Sequence, residues 1–295
     1  MIIDGSRYAE ALKDELRDEL EAVPGRTGIA TLLVGDNLAA GVYQRRIDAN
    51  ARELGMPSRP EQLPADSTLG QVIGKIAELD VDPEISGILV LRPLPAHLSE
   101  ALVFAALPPL KDVEALHPVN AGLLSLGTPR FVPSTPGAAF HMLDHYTEEQ
   151  GRDPKTAYDG VDIVLVGRSN NVGKPAAILG LQRNATVISC HRHTADAGRL
   201  AEHTRMADIL LVAVGWPGLI DGSMVREGSI VIDVGINPVK RDDGTIRLVG
   251  DVDTASVEPV AEAVSPVPGG VGPITDVWVL RNTVHAARIQ EPRAQ

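Results

Sequence analysis

Two arginines set around a glycine-rich turn are the residues of this chain whose type and spacing point most clearly to chemistry. The segment VDIVLVGRSNNVGKP (161–175) carries an apolar run into Gly167, then Arg168 and Ser169, then Val172, Gly173 and Pro175. Further on, Cys190 is followed by His191, Arg192 and His193, with no carboxylate before Asp196. A site for NAD needs an acid about twenty residues past its glycine turn, to accept bonds from the ribose hydroxyls. Guanidinium groups in that neighbourhood suit a 2′-phosphate, so the expected cofactor is NADP. The same arginines would also serve as ordinary solvated surface charges.

The elements that must position these residues follow from the pattern around them. Val161, Ile163, Val164, Leu165 and Val166 read as a buried parallel strand bounded by glycine. Proline suits the first helical turn, where no backbone hydrogen bond is lost. A strand turning into a helix through glycines leaves N–H groups and a positive dipole end for a phosphate. The spacing is not the strict G-x-G-x-x-G fingerprint. Ala185–Cys190, Asp208–Val214 and Ser229–Asp233 supply further strands, with Val214, Gly215, Gly235 and Ile236 at their ends. Ligands of open α/β sheets sit at the carboxyl ends of strands, so these positions are expected to face the cofactor. Simple turn chemistry accounts for the same two glycines.

Upstream, Tyr8, Leu12, Leu16 and Leu20 mark an amphipathic helix over 6–22 with Ser6 as its N-cap. Gly28–Val34 and Ser86–Leu91 read as strands, with a helix from Ala39 to Leu54 after the first. Strands alternate with helices through both halves, which makes the class α/β. The proline- and glycine-rich stretches Ala105–Pro118 and Gly127–Pro136 are expected to form a hinge between domains. A last helix is expected over 275–289, after the run SPVPGGVGP (265–273).

The bulk properties exclude several classes. At 295 residues the chain has room for two domains, and 44% hydrophobic with 22% charged residues is the composition of an ordinary globular protein. A net charge of −12 argues against a nucleic-acid or anionic-membrane partner. The single cysteine, Cys190, excludes an internal disulfide framework and suits a reducing compartment. No apolar run approaches a membrane span, and MIIDGSRYAE lacks the layout of a signal peptide, so the expected location is cytoplasmic. No metal-ligand spacing and no nucleophile elbow stands out among the histidines and serines.

Taken together, LVGDNLAAGVY (33–43), GILVLRPLP (87–95), KDVEALHPVN (111–120), GRSNNVGKP (167–175), VIDVGIN (231–237), GDVD (250–253) and PVPGGVGPIT (266–275) resemble the motifs of the FolD family. These are the methylenetetrahydrofolate dehydrogenases/cyclohydrolases, and the match runs through the chain in order. The resemblance implies a folate-side α/β domain over 1–137 plus 274–295 and a Rossmann-like NADP domain over 138–273, with a cleft between them. It also implies a folate-type substrate and a homodimer. By position it assigns Tyr43, Glu114, Pro268, Gly269 and Gly270 to the substrate and Thr275 to the cofactor, with Arg92 and Asp276 as further candidate substrate contacts.

The departures from the family pattern cluster at the positions that do chemistry. The family's Y-x-x-x-K pattern begins at Tyr43, but the lysine position is Ile47. The family's glutamine corresponds to Leu91, followed by Arg92, and the aspartate of its KDVDG motif corresponds to Glu114, followed by Ala115. Asp276 stands where the family is apolar. Hydride transfer from a methylene bridged between two nitrogens needs orientation more than a strong base. Hydrolysis of the methenyl cation needs a positioned acid–base, which Ile47 cannot supply. The expected activity is an NADP-dependent dehydrogenase of one-carbon metabolism with hydrolysis lost or weak. Two rivals stand beside it: a paralogue redirected to another small amine or iminium substrate, and a non-catalytic NADP-binding protein. Arg92 and Asp276 are either contacts to such a substrate or surface charges, and His117 is read as structural.

Overall fold

The computed structural model describes residues 1–23, 27–240 and 244–290. The chain divides into two compact units, Glu10–Ser134 with Asp276–Gln295 and Met1–Ala9 with Thr135–Thr275. Each contains a parallel sheet, so the α/β class holds in both.

The three-stranded unit follows a strand–helix alternation. Its elements are α1 (Gly5–Glu21) from Glu10 onward, β1 (Gly28–Val34), α2 (Leu38–Glu53), β2 (Ser58–Leu63), α3 (Leu69–Val81), β3 (Ile85–Val90), α4 (Glu100–Ala105) and α5 (Pro118–Ser125). The strands pair in parallel in the order β2-β1-β3. Central β1 is buried along its whole length, as GIATLLV requires of a strand covered on both faces. Edge strand β2 is SRPEQL, partly exposed, and Pro60 is tolerated there because an edge need not donate to a second neighbour. Leu32, Val72, Ile76, Val90 and Phe104 belong to one apolar core.

Several boundaries differ from the sequence expectation for physical reasons. Ser6 is not the cap of α1; its N–H bonds to Asp4 Oδ1 at 2.9 Å, so Asp4 begins the helix. Asn37 caps α2 through Ala40 N–H at 3.0 Å. The pair β2–α3 lies between expected elements, and α3 opens with a reciprocal Thr68–Gln71 capping box. Ala105–Pro118 is no hinge. It lies inside this unit, folded around the buried Asp112, and Ile88 bridges to it. The boundary between the units falls instead at Ser134/Thr135, within the second proline-rich stretch.

The five-stranded unit contains α6 (Ser134–Glu149), β4 (Asp162–Val166), α7 (Gly173–Gln182), β5 (Thr186–Cys190), α8 (Arg192–Asp196), α9 (Leu200–Thr204), β6 (Ile209–Val212), β7 (Ile230–Asp233), β8 (Asn237–Lys240), β9 (Ile246–Val249), α10 (Thr254–Val257) and β10 (Ala263–Val264). The sheet order is β10-β7-β6-β4-β5, all parallel, while β8 and β9 form a separate antiparallel hairpin. Chain order reverses between β4 and β6, which is the switch point at which open α/β sheets bind ligands. The segment 1–9 belongs here and not with the rest of 1–137. Ile3 N–H bonds to Val264 O and Val264 N–H to Met1 O, both at 2.9 Å, which satisfies the free edge of β10. The last helix, α11 (Val271–Gln290), starts earlier than expected, with Pro273 in its first turn where no hydrogen bond is lost.

Candidate active site

In the three-stranded unit, α2 carries Tyr43, Arg46 and Ile47 on consecutive turns, and α11 brings Asp276 to the same place. Arg46 Nη2 donates to Asp276 Oδ1 at 2.9 Å, and Nε lies 2.9 Å from Oδ2. Asp276 is buried, so of its two sequence readings the surface charge does not hold. Burial raises its carboxyl to about 6, against the pull of Arg46 and Lys13. Arg46 also lies over the Tyr43 ring, 5.8 Å from its centroid.

Glu114 supplies the other carboxylate. Ser134 N–H bonds to its Oε2 at 3.1 Å, while Oε1 is buried without a hydrogen-bond partner. Burial pushes this carboxyl up to about 7, with Ser134 and Arg92 opposing and Asp112 adding to the rise. The Tyr43 hydroxyl is held well above its ordinary range, first by burial and then by the charges of Glu114 and Asp276. Ala115 follows Glu114 at φ 53°, a left-handed conformation that glycine would adopt without strain.

The remaining positions expected on this side have mundane surroundings. Ile47 is fully buried and Leu91 nearly so, each as a packing residue; the Leu91 N–H bonds to Leu32 O. Arg92 is committed to Glu100, with Nε to Oε1 at 3.0 Å and Nη2 to Oε2 at 2.7 Å. His117 caps α5, its Nδ1 accepting from Val119 N–H. Asp112, unread in the sequence, anchors the loop by accepting from the Leu116 and His117 amides and from Asn120 Nδ2.

In the five-stranded unit, the glycine turn sits at the switch point. Gly167 has φ 125°, and a Cβ there would lie 2.2 Å from Ala213 O, so β4 and β6 approach too closely for any side chain. Gly173 is equally confined, because its Cβ would meet Gly167 O at 2.2 Å. Ser169 Oγ accepts from the Val172 and Gly173 amides at 3.2 and 3.4 Å, which shapes the N-terminus of α7, and Pro175 falls in its first turn. Arg168 is exposed, and so is Arg192, whose Nε lies 3.7 Å from Asp196. His191, half-buried, donates its N–H to Thr194 Oγ1. A tight glycine cradle at a helix N-terminus, with two exposed guanidiniums near strand ends, suits a phosphorylated dinucleotide.

The other expected cofactor positions separate into exposed and packed. Val214 and Ile236 are exposed, and Gly215 has φ 70°. Gly235 is buried, its missing side chain replaced by the carboxylate of Asp251. Thr275 is buried with its hydroxyl bonded to Val271 O. In the PVPGG segment Pro268 is exposed, and Gly269 at φ 101° accepts the Gly5 N–H. Gly270 packs against Pro266 O. Asp233 and Asp251 sit within motifs that the sequence displays, but their buried hydrogen bonding could not be read from it.

Comparison with known proteins agrees with this layout. Residues 133–291 match the family described as tetrahydrofolate dehydrogenase/cyclohydrolase, NAD(P)-binding domain. Residues 3–114 match the catalytic domain of the same family. A bifunctional protein FolD of Rubrobacter xylanophilus is 56% identical over 292 residues, covering 97% of this chain and 92% of its own. The crystal structure of the bifunctional FolD methylenetetrahydrofolate dehydrogenase/cyclohydrolase from Campylobacter jejuni superposes with a TM-score of 0.88 at 35% identity, covering 99% of both chains. The FolD of Trypanosoma brucei, solved with NADP cofactor and inhibitor, gives 0.89 at 31% identity over 98% of this chain and 97% of that one. With both halves matched in order by one family, and relatives of this identity along nearly its full length, the chain belongs to the tetrahydrofolate dehydrogenase/cyclohydrolase family.

Proposed function

We propose that the chain is an NADP-dependent methylenetetrahydrofolate dehydrogenase of one-carbon metabolism whose methenyltetrahydrofolate cyclohydrolase activity is lost or weak. The observation that carries the second half is Ile47, a fully buried hydrocarbon one turn from Tyr43. The ionisable groups acting most strongly on Tyr43 are Glu114, Asp276 and Arg46. Arg46 is a guanidinium, which does not give up its proton, and it is bound to Asp276. With Ile47 at the lysine position, that position supplies no amine to cycle a proton in hydrolysis of the methenyl cation, a loss worth about a hundredfold to ten-thousandfold in rate.

The dehydrogenase half asks less of the site. NADP, when bound, supplies the hydride acceptor. Gly167, Ser169 and Gly173 hold open the cradle for its phosphates, while Arg168 and Arg192 offer charge to the 2′-phosphate. Glu114 offers a carboxylate to the amino-pyrimidine edge of a pterin, and Tyr43 offers its ring to the aromatic middle of a folate.

A second reading has support from one contact. Asp276, which stands where the family is apolar, pairs with Arg46 and puts charge beside Tyr43, as expected if the pocket takes a different small amine or iminium substrate. We place the protein in the cytoplasm as a homodimer; among the described residues no helix is long and apolar enough to cross a membrane. The test mixes purified protein with methylenetetrahydrofolate and NADP or NAD and follows nicotinamide reduction. Turnover with NADP supports the reading. NADP binding without turnover would move the assignment to a redirected or non-catalytic protein.

A further inference from the structure

Two motifs far apart in the sequence, Val231–Asn237 and Gly250–Asp253, interlock through their aspartates. Asp233 Oδ1 accepts from Gly235 N–H at 2.9 Å and Asp251 N–H at 3.1 Å, and Oδ2 from Val252 N–H at 2.9 Å. Asp251 in turn reaches away from this pair to the turn that follows β6. Its Oδ2 accepts from Val214 N–H at 2.7 Å and Gly215 N–H at 2.9 Å, and its Oδ1 from Trp216 N–H and Asn237 Nδ2, both at 2.8 Å. The two carboxylates occupy the space that side chains would take at both glycines. A Cβ on Gly235 would lie 2.2 Å from Asp251 Cγ, and one on Gly250 would lie 1.8 Å from Asp233 Oδ2. Both aspartates are buried.

We propose that Asp251 is a positioning residue for the nucleotide, its carboxylate fixing the Val214–Gly215–Trp216 turn in the shape that receives the cofactor. The inference rests on the reading that this turn faces NADP. Three successive amides aimed at one point make an anion-binding nest. Here that nest is filled from within the protein, so it cannot compete with the Gly167–Gly173 cradle for the cofactor's phosphates. What the turn leaves outward is uncharged: Val214 is 37% exposed, Trp216 67% and the neighbouring Ile236 50%. An uncharged, partly aromatic surface beside the switch point suits the ring portion of a dinucleotide better than its phosphates. Only a carboxylate meets the requirement, because an ionised acid is acceptor-only and all the neighbours here are donors. Asparagine in its place would set an NH2 against at least one of them.

The test is a set of three variants measured for NADP binding by calorimetry and for turnover with methylenetetrahydrofolate. Asp251→Asn should raise the NADP Kd and KM about tenfold or more, because the turn is displaced rather than removed. The kcat at saturating NADP and the KM for the folate should stay within about threefold, a split that a general loss of folding does not produce. Asn237→Ala, which removes a single donor, should show a weaker rise of the same kind and serves where Asp251→Asn does not fold. Trp216→Ala, on an exposed side chain, tests the premise and should also weaken NADP binding. If Trp216→Ala weakens NADP binding while folded Asp251→Asn and Asn237→Ala bind it as the parent does, Asp251 is only a structural residue and the inference is overturned. If Trp216→Ala binds NADP normally, the turn does not face the cofactor, and the premise falls first.

Discussion

Arg46 and Asp276, 230 residues apart in sequence, meet as an ion pair beside Tyr43, with Arg46 Nη2 2.9 Å from Asp276 Oδ1. The two partners are unequally placed: the Arg46 side chain is 42% exposed and that of Asp276 only 7%. Their removal is therefore not symmetrical. Asp276→Leu leaves a guanidinium that can turn to water, and should change stability by less than about 1 kcal/mol. Arg46→Leu leaves a buried carboxylate alone, and should cost about 1–3 kcal/mol at neutral pH after allowance for the pair's partial exposure. The Asp276 carboxyl is raised above its unfolded value, so its contribution is fully present below about 3.8 and is lost as pH rises through about 6. Removing Arg46 extends that loss to higher pH. Denaturant unfolding of both variants in acid and in mild alkali measures the difference; equal losses at both pH values would contradict it.

Glu114 predicts a pH dependence on the substrate side. Its carboxyl is pushed up to about 7 by burial, so in the proposed role it would offer a full charge to a pterin only above that pH. The KM for the folate should rise about tenfold per pH unit below about 7, and Glu114→Gln should abolish the slope while keeping KM high. Stability runs the other way. Because the folded value lies above 4.5, stability is lost as pH rises from 4.5 through about 7, and the glutamine variant should be flatter across that window. A parent enzyme with KM constant from acid to mild alkali would exclude this role.

Ala115 holds a left-handed conformation at φ 53° immediately after Glu114. Ala115→Gly should relieve strain of about 1–2 kcal/mol, less the added freedom of the unfolded chain, for a net gain of about 0.5–1 kcal/mol. Thermal unfolding reads this directly, and a destabilised glycine variant would show that the backbone there is not strained.

Glycines make a contrasting pair. Gly250→Ala would drive a Cβ to 1.8 Å from Asp233 Oδ2 and should cost more than about 2 kcal/mol or prevent folding. Gly74, inside α3, has open space where its side chain would be, and Gly74→Ala should stabilise by about 0.5–1 kcal/mol. Similar melting temperatures for the two variants would refute the interlocked-aspartate geometry.

Much of the cofactor half was legible because its signals are local. The apolar run into Gly167, the helix that takes Pro175 in its first turn, and the strands ending before Gly215 and Gly235 each announce themselves within about ten residues. Edge strand β2 was not legible, since SRPEQL is polar and carries a proline, and α3 went unread despite Val72, Ile76 and Leu79 at helical spacing. The hydrogen-bond partners of the candidate residues were not legible. Nothing in the sequence says that Asp276 is buried, because the arginine that neutralises it lies on α2. Nor does it say that Asp251 serves amides on the turn after β6, since bonds from side chain to distant backbone leave no pattern in the chain.

Ile47 bears the weight of the proposed function, and the most direct measurement compares two rates in one preparation. Methylenetetrahydrofolate oxidation with NADP and methenyltetrahydrofolate hydrolysis should be followed in the parent protein and in Ile47→Lys. The expected result is NADP reduction in the parent with hydrolysis at least about a hundredfold slower than that of a relative with lysine at this position under the same conditions. Hydrolysis by the parent at the rate of that relative, unchanged by the added lysine, would contradict it.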